Sequence, residues 1–253
     1  MRISVLGNSD TTGRHLPPGD IPWPRLVQER LGIELGEPVA LDSWRFAPYR
    51  PGAADYALHL VAEAEPDFVV IPLASYWCAF TTVQRSVERR FGGRAAGLYA
   101  SAEAAYRRRF ESSATRAGPR RSLIRTVARK TFGAAPLLTV AQFVEVYSTV
   151  LRKLSRHEDL HVIVFGDRAF SAALREAMPT IEPAMVAIES RVKSLVLERR
   201  FDWADLDQAI RAGGRREPLL LEDGIHMTPG AHEQTAAMLM PLFLRYASAS
   251  QVQ

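Results

Sequence analysis

The residue types that could do covalent chemistry lie at the two ends of this 253-residue chain. Near the start, Gly7-Asn8-Ser9-Asp10-Thr11 follows the apolar run Ile3 to Leu6. Near the end, Asp223-Gly224-Ile225-His226 precedes Met227-Thr228-Pro229-Gly230. A serine hydroxyl becomes a nucleophile when an imidazole takes its proton and a carboxylate orients that imidazole. Ser9, His226 and Asp223 supply one group of each kind. Each segment alone also has a plainer reading. Asn8 to Thr11 suits a polar turn or cap, and Asp-x-x-His is a common tetrapeptide.

The elements that must position these groups follow from hydrophobic pattern. Ile3–Leu6 predicts a buried strand ending at Gly7, which puts the Ser9 hydroxyl at the carboxyl edge of a sheet. Open α/β sheets place ligands at that edge. Asp67–Leu73 and Asp159–Asp167 carry continuous rather than alternating apolar runs, the habit of parallel strands covered on both faces. Pro38–Leu41 is a shorter strand candidate. Helices are predicted over Pro22–Leu31, closing at Gly32, and over Ala53–Ala64, Ala184–Arg199 and Trp203–Ala212. Thr228 and Pro229 open a last helix to Tyr246. Ser248–Gln253 reads as a frayed tail. Strands alternating with helices predict an α/β fold with a mostly parallel sheet. Residues 79–156 break the rhythm and read as a mainly helical insertion or lid on one domain.

Composition agrees with a soluble globular protein: 47% apolar and 24% charged residues. No apolar run reaches the about 18 residues of a membrane span, and Met1–Leu6 is too short for a signal core. A single cysteine, Cys78, has no intramolecular disulfide partner. A cytoplasmic location is the expectation.

The net charge of +4 is concentrated. Arg85, Arg89, Arg90, Arg94, Arg107–Arg109, Arg116, Arg120, Arg121, Arg125, Arg129 and Lys130 share one segment. They suit a solvated helical face, or a platform for an anionic donor such as coenzyme A or an acidic carrier protein. Nucleic acid is not expected, because no recognised binding motif accompanies them.

Taken together, the two end segments resemble the SGNH (GDSL) hydrolase family. In that family a serine follows the first strand and a late Asp-x-x-His completes a triad. Trp23-Pro24-Arg25-Leu26 with Glu29-Arg30-Leu31-Gly32 is similar to the family's first helix. Pro66–Ile71 resembles the strand leading to block III, and Asp223–His232 resembles block V. The matches run in order from residue 2 to about residue 240. The resemblance implies a three-layer α/β/α flavodoxin-like domain spanning 1–253. It implies Ser9 as nucleophile, His226 as base and Asp223 as orienting carboxylate, with no metal or organic cofactor.

The chain departs from the family pattern where an oxyanion must be held. Asn8 replaces the block-I aspartate. Tyr76 falls at the block-III asparagine, flanked by Ser75 and Trp77, and Asp42–Phe46 lacks the block-II glycine. Tyr76, Ser75 or Arg45 is the expected replacement donor, beside the Ser9 amide, with Trp77 against the substrate. Trp44, Phe46, Tyr49, Tyr76, Trp77 and Phe80 suit an acyl pocket or ordinary core. His15 is read as a loop residue able to line the pocket, His232 as a closing-helix residue and His161 as structural. The expected activity is a serine esterase or acyl hydrolase on a small ester or thioester. An acyltransferase, or a non-catalytic binding protein of the same fold, remains open.

Overall fold

The computed structural model describes residues 1–111, 130–167, 170–212 and 219–250, except the side chains of 106–111, 177, 210–212 and 248–250. These residues form two compact units. The first comprises Met1–Tyr76 with Val140–Gln253, and the second is Trp77–Thr139.

The first unit is a three-layer α/β/α domain. Its sheet has five strands, β1 (Arg2–Gly7), β2 (Ala40–Arg45), β3 (Phe68–Pro72), β6 (His161–Phe165) and β7 (Asp202–Ala204). Their order is β2-β1-β3-β6-β7, and every pairing is parallel. Ile3, Val5, Val69, Val70, Ile71, Ile163 and Val164 are all at most 1% exposed. Consecutive residues point to opposite faces, so this burial requires both faces to be covered. One face packs against helix α2 (Trp23–Leu35) and the closing helix α9 (Pro229–Ser250), with Trp23, Leu31, Leu239 and Phe243 in one cluster with Ile3, Val5, Phe68 and Ile163. Helices α3 (Ala53–Ala64), α5 (Val140–Leu154) and α7 (Ile181–Glu198) pack side by side in the remaining layer. The Tyr147 hydroxyl of α5 donates to the Pro72 carbonyl at 3.2 Å.

Several expected boundaries are corrected. Helix α2 does not stop at Gly32 but runs to Leu35, and Gly36 caps it at φ 67°. Gly32 is tolerated inside because the apolar spacing continues to Leu35, which packs on the core. Trp203 does not open a helix. It lies in β7, in register with Val164, and helix α8 (Leu206–Ala212) follows. A three-residue strand has too little pattern to announce itself, and its pairing is non-local. The closing helix extends past Tyr246 to Ser250, while 251–253 of the expected tail lie outside the described residues.

In the second unit, β4 (Thr81–Thr82) pairs antiparallel with β5 (Ala135–Pro136). Helix α4 (Val83–Glu111) kinks at Gly92. The Ser86 hydroxyl donates to the Phe132 carbonyl at 2.5 Å, and Arg85 pairs with Glu88. Arg116, Arg120, Arg121, Arg125 and Arg129 of the basic segment lie outside the described residues. Residues 140–154 of the segment read as an insertion belong to the first unit as α5.

Candidate active site

Ser9 stands where β1 breaks into α1 (Ser9–Thr12). The break is dictated locally. The Asn8 side chain accepts the Asp10 amide at 2.9 Å, and the Thr11 hydroxyl donates to the Asn8 carbonyl at 2.7 Å. Thr11 therefore folds back over Gly7, where a Cβ would sit 2.0 Å from a Thr11 methyl carbon. Only glycine permits this approach. The Ser9 amide is at the first helical position and has no acceptor within the helix.

Asp223 and His226 lie on the loop ahead of α9. Asp223 Oδ1 accepts the amides of Ile225 and His226 at 2.9 and 3.0 Å. Gly224 between them has φ +69°, and a Cβ there would lie 2.3 Å from the Ser171 hydroxyl. This tight turn leaves Asp223 Oδ2 2.5 Å from His226 Nδ1. The opposite ring nitrogen, Nε2, is 2.9 Å from Ser9 Oγ. With the neutral imidazole proton on Nδ1, the ring donates to Asp223 and accepts from Ser9. The imidazole is only 15% exposed, against 43% for the carboxylate. Burial pushes the Asp223 carboxyl up, but its bonds to the His226 ring and to the His226 and Ile225 amides outweigh this. The net result is a pKa of about 2, so Asp223 is ionised at neutral pH.

Two further contacts organise the pair. Asp10 Oδ1 accepts the Met227 amide at 3.0 Å, and the His15 ring stacks on His226 with centroids 3.5 Å apart. Asp10 was not legible as a site residue, since its partner lies 217 positions away. His15 lies in the turn after α1, as expected of a loop residue, and its ring packs on the imidazole face. His232 is 1% exposed and accepts the Trp23 amide through Nδ1 at 3.2 Å, closing the first turn of α2. The His161 ring packs at a tilt against Tyr246, with centroids 3.8 Å apart.

The expected oxyanion donors are placed as follows. Strand β2 extends past the expected Leu41 through Asp42–Arg45, and the chain turns only after the Phe46 amide donates to the Gly7 carbonyl at 2.7 Å. Arg45 is in register with Gly7, exposed, and without an ion pair or hydrogen bond among the described residues. Ser75 and Tyr76 follow β3, the neighbour of β1, on the same carboxyl edge, and both are buried. The Ser75 amide is committed to Asp167 Oδ2 at 2.7 Å. Trp77 belongs to the second unit, its ring edge-on to Phe80. Clefts of about 640 and 500 Å³, sharing His157, Glu158 and Leu160, sit at the opposite, amino-terminal ends of β3 and β6. Among the described residues, no group of three or more His, Cys, Asp or Glu could hold a metal ion, and no helix is long and apolar enough to cross a membrane.

No protein-family model matches the chain, and no curated protein matches it. Solved structures do match along nearly its whole length. TesA aligns with a TM-score of 0.56 at 16% identity, covering 95% of this chain and 97% of that one. A lipase/acylhydrolase from Enterococcus faecalis aligns at 0.57 and 16%, covering 95% and 93%. A catalytic mutant of Axe2, an acetylxylan esterase from Geobacillus stearothermophilus, aligns at 0.56 and 12%, covering 95% and 92%. The fold is that of the SGNH hydrolases. At these identities the likeness speaks for the fold, and its neighbours are esterases and acylhydrolases. What the SGNH fold does in this chain rests on its own residues.

Proposed function

We propose that the protein is a serine esterase or acyl hydrolase that works through an acyl-enzyme on Ser9. The observation that carries this reading is the hydrogen-bonded series from Ser9 Oγ to His226 Nε2 and from Nδ1 to Asp223. Ser9 Oγ attacks the acyl carbon as His226 Nε2 takes the hydroxyl proton. The imidazolium is held by Asp223, and its proton then passes to the leaving alcohol or thiol as the acyl–oxygen or acyl–sulfur bond breaks. Water repeats the sequence on the acyl-enzyme, releasing the acid and restoring Ser9. No step requires a metal or organic cofactor.

The Ser9 amide is the first donor to the oxyanion, and the turns after β2 and β3 flank it. Removal of one such donor lowers rate by about 10²–10³. The unusual residues on these turns therefore set how much activation the substrate must bring. Turnover of short-chain p-nitrophenyl esters and acyl thioesters tests the reading. Wild type turns over at least one, and Ser9→Ala abolishes it. Absence of wild-type turnover across both panels contradicts it.

Acyl transfer to an alcohol or amine is the second reading. It is favoured by Arg45 beside Gly7, exposed and unpaired among the described residues, a cation suited to an anionic donor such as coenzyme A or a carrier-linked thioester. Faster release of the acyl group from Ser9 by an acceptor than by water marks this outcome. A binding protein without catalysis fits less well, because a bland pocket has no need of a base aligned on a serine.

A further inference from the structure

We infer that Asp167 is a positioning residue for the acyl-oxygen side of the site, fixing the turn after β3 through the Ser75 amide and so setting where Tyr76 stands relative to Ser9. The inference rests on the hydrolase reading above. Its basis is three strand ends at one sheet edge. Neighbouring strands lie about 4.8 Å apart, and β1 and β3 pair directly, in parallel. Ser9 follows the end of β1 by two residues and Ser75 follows the end of β3 by three. The turn carrying Ser75 and Tyr76 is therefore an immediate neighbour of the nucleophile.

Asp167 follows the end of β6, the strand on the other side of β3. It is 4% exposed, and its Oδ2 accepts the Ser75 amide at 2.7 Å. Leu73 also donates to the Phe165 carbonyl, at 2.9 Å. This backbone bond holds the root of the turn, while the carboxylate holds its tip. Ser75 does not anchor itself, because its buried hydroxyl has no hydrogen-bond partner among the described residues. A carboxylate is an expensive group to bury for a task that a serine or threonine cap performs elsewhere. What it adds is a short, charge-assisted bond, about twice as strong as a neutral one.

Glu189 supports the assignment. It sits against Gly166, where a Cβ would lie 2.1 Å from Glu189 Oε1. Burial chiefly, and then the charges of Asp167 and Asp205, push its carboxyl up to about 7. Asp207 adds to this and Lys193 opposes it. The Glu189 carboxyl on α7 is thus kept largely neutral below that pH, which lessens the like-charge repulsion it exerts on Asp167.

The test is steady-state kinetics of wild type, Asp167→Ala and Asp167→Asn on the best p-nitrophenyl ester, normalised to active sites titrated with a fluorophosphonate. Asp167→Ala is expected to lower kcat about thirty-fold or more with KM within about twofold, as loss of transition-state contacts requires. Asp167→Asn keeps a neutral acceptor for the amide, so its kcat falls only about three- to tenfold, again at constant KM. A kcat per active site within twofold of wild type in either variant overturns the inference, as does Asn no better than Ala. If Asp167→Ala does not fold, Asp167→Asn decides by the same criterion against wild type. Wild type without turnover on any ester or thioester overturns the hydrolase reading and this inference with it. Turnover by wild type with unaffected variants overturns this inference alone.

Discussion

Asp10 Oδ1 accepts the backbone amide of Met227 at 3.0 Å, and this buried bond joins the turn that carries Ser9 to the loop that carries His226. The two halves of the site are 217 residues apart in sequence. A gap of 2.9 Å between Ser9 and His226 persists only if something rigid sets it, and Asp10, 5% exposed, is placed to do so.

Asp10→Ala leaves the Met227 amide buried without its acceptor. The expected loss of stability is about 1–3 kcal/mol, read from denaturant midpoints. Turnover per folded molecule falls as well, because the base is no longer held against the nucleophile. Asp10→Asn, which keeps an acceptor oxygen, recovers most of both.

Gly224→Ala tests the turn between the carboxylate and the imidazole. The residue has φ +69°, and an added methyl meets the Ser171 hydroxyl. That hydroxyl caps the helix Ala172–Ala177 by accepting the Leu174 amide at 3.2 Å. The left-handed conformation costs about 1–2 kcal/mol for alanine, and displacing the cap costs about 1 more. Thermal melting reads the sum, and kcat falls with it as Asp223 loses register with His226.

Asp223 and Glu189 give opposite pH signatures. The Asp223 carboxyl is held below its ordinary value, at about 2 against 3.8. Its contribution to stability is complete above the unfolded value and is lost as pH falls through the folded one, from about 4 to 2. Glu189 is raised from 4.5 to about 7. Its neutral form suits the folded state, so its contribution is complete below about 4.5 and is lost as pH rises through 7. Unfolding midpoints measured from pH 5 to 8 should therefore fall more steeply in wild type than in Glu189→Gln. Asp223→Ala should flatten the acid limb and lower kcat by about 10³–10⁴, as loss of the orienting carboxylate does in serine triads.

His15→Ala removes the ring stacked on His226. A stacked aromatic pair contributes about 0.5–1.5 kcal/mol, which corresponds to a few- to about tenfold in kcat if the ring fixes the imidazole for proton transfer. Phenylalanine at position 15 should restore most of the rate, which a proton-carrying role for His15 would not allow.

The sheet was legible where strands are buried on both faces. Ile3–Leu6, Phe68–Ile71 and Val162–Phe165 announce themselves as unbroken apolar runs, and these three pair as the centre of the sheet. Strand β7 was not legible, because three residues, Asp202–Ala204, carry almost no periodicity and are recruited by pairing with β6. Ser9, Asp223 and His226 could be singled out by type and local spacing. Asp10 and Asp167 could not, since each acts on an amide far away in sequence. The donors around the oxyanion were the least legible part. A backbone amide belongs to any residue, and only the turns after β2 and β3 decide where it points.

The most direct measurement is fluorophosphonate labelling followed by peptide mass spectrometry. If Ser9 is the nucleophile and His226 its base, the adduct falls on the peptide bearing Ser9. It is absent in Ser9→Ala and forms at least about a hundredfold more slowly in His226→Ala. A wild-type protein that takes no label, or takes it with Ser9 unmodified, contradicts the proposed function.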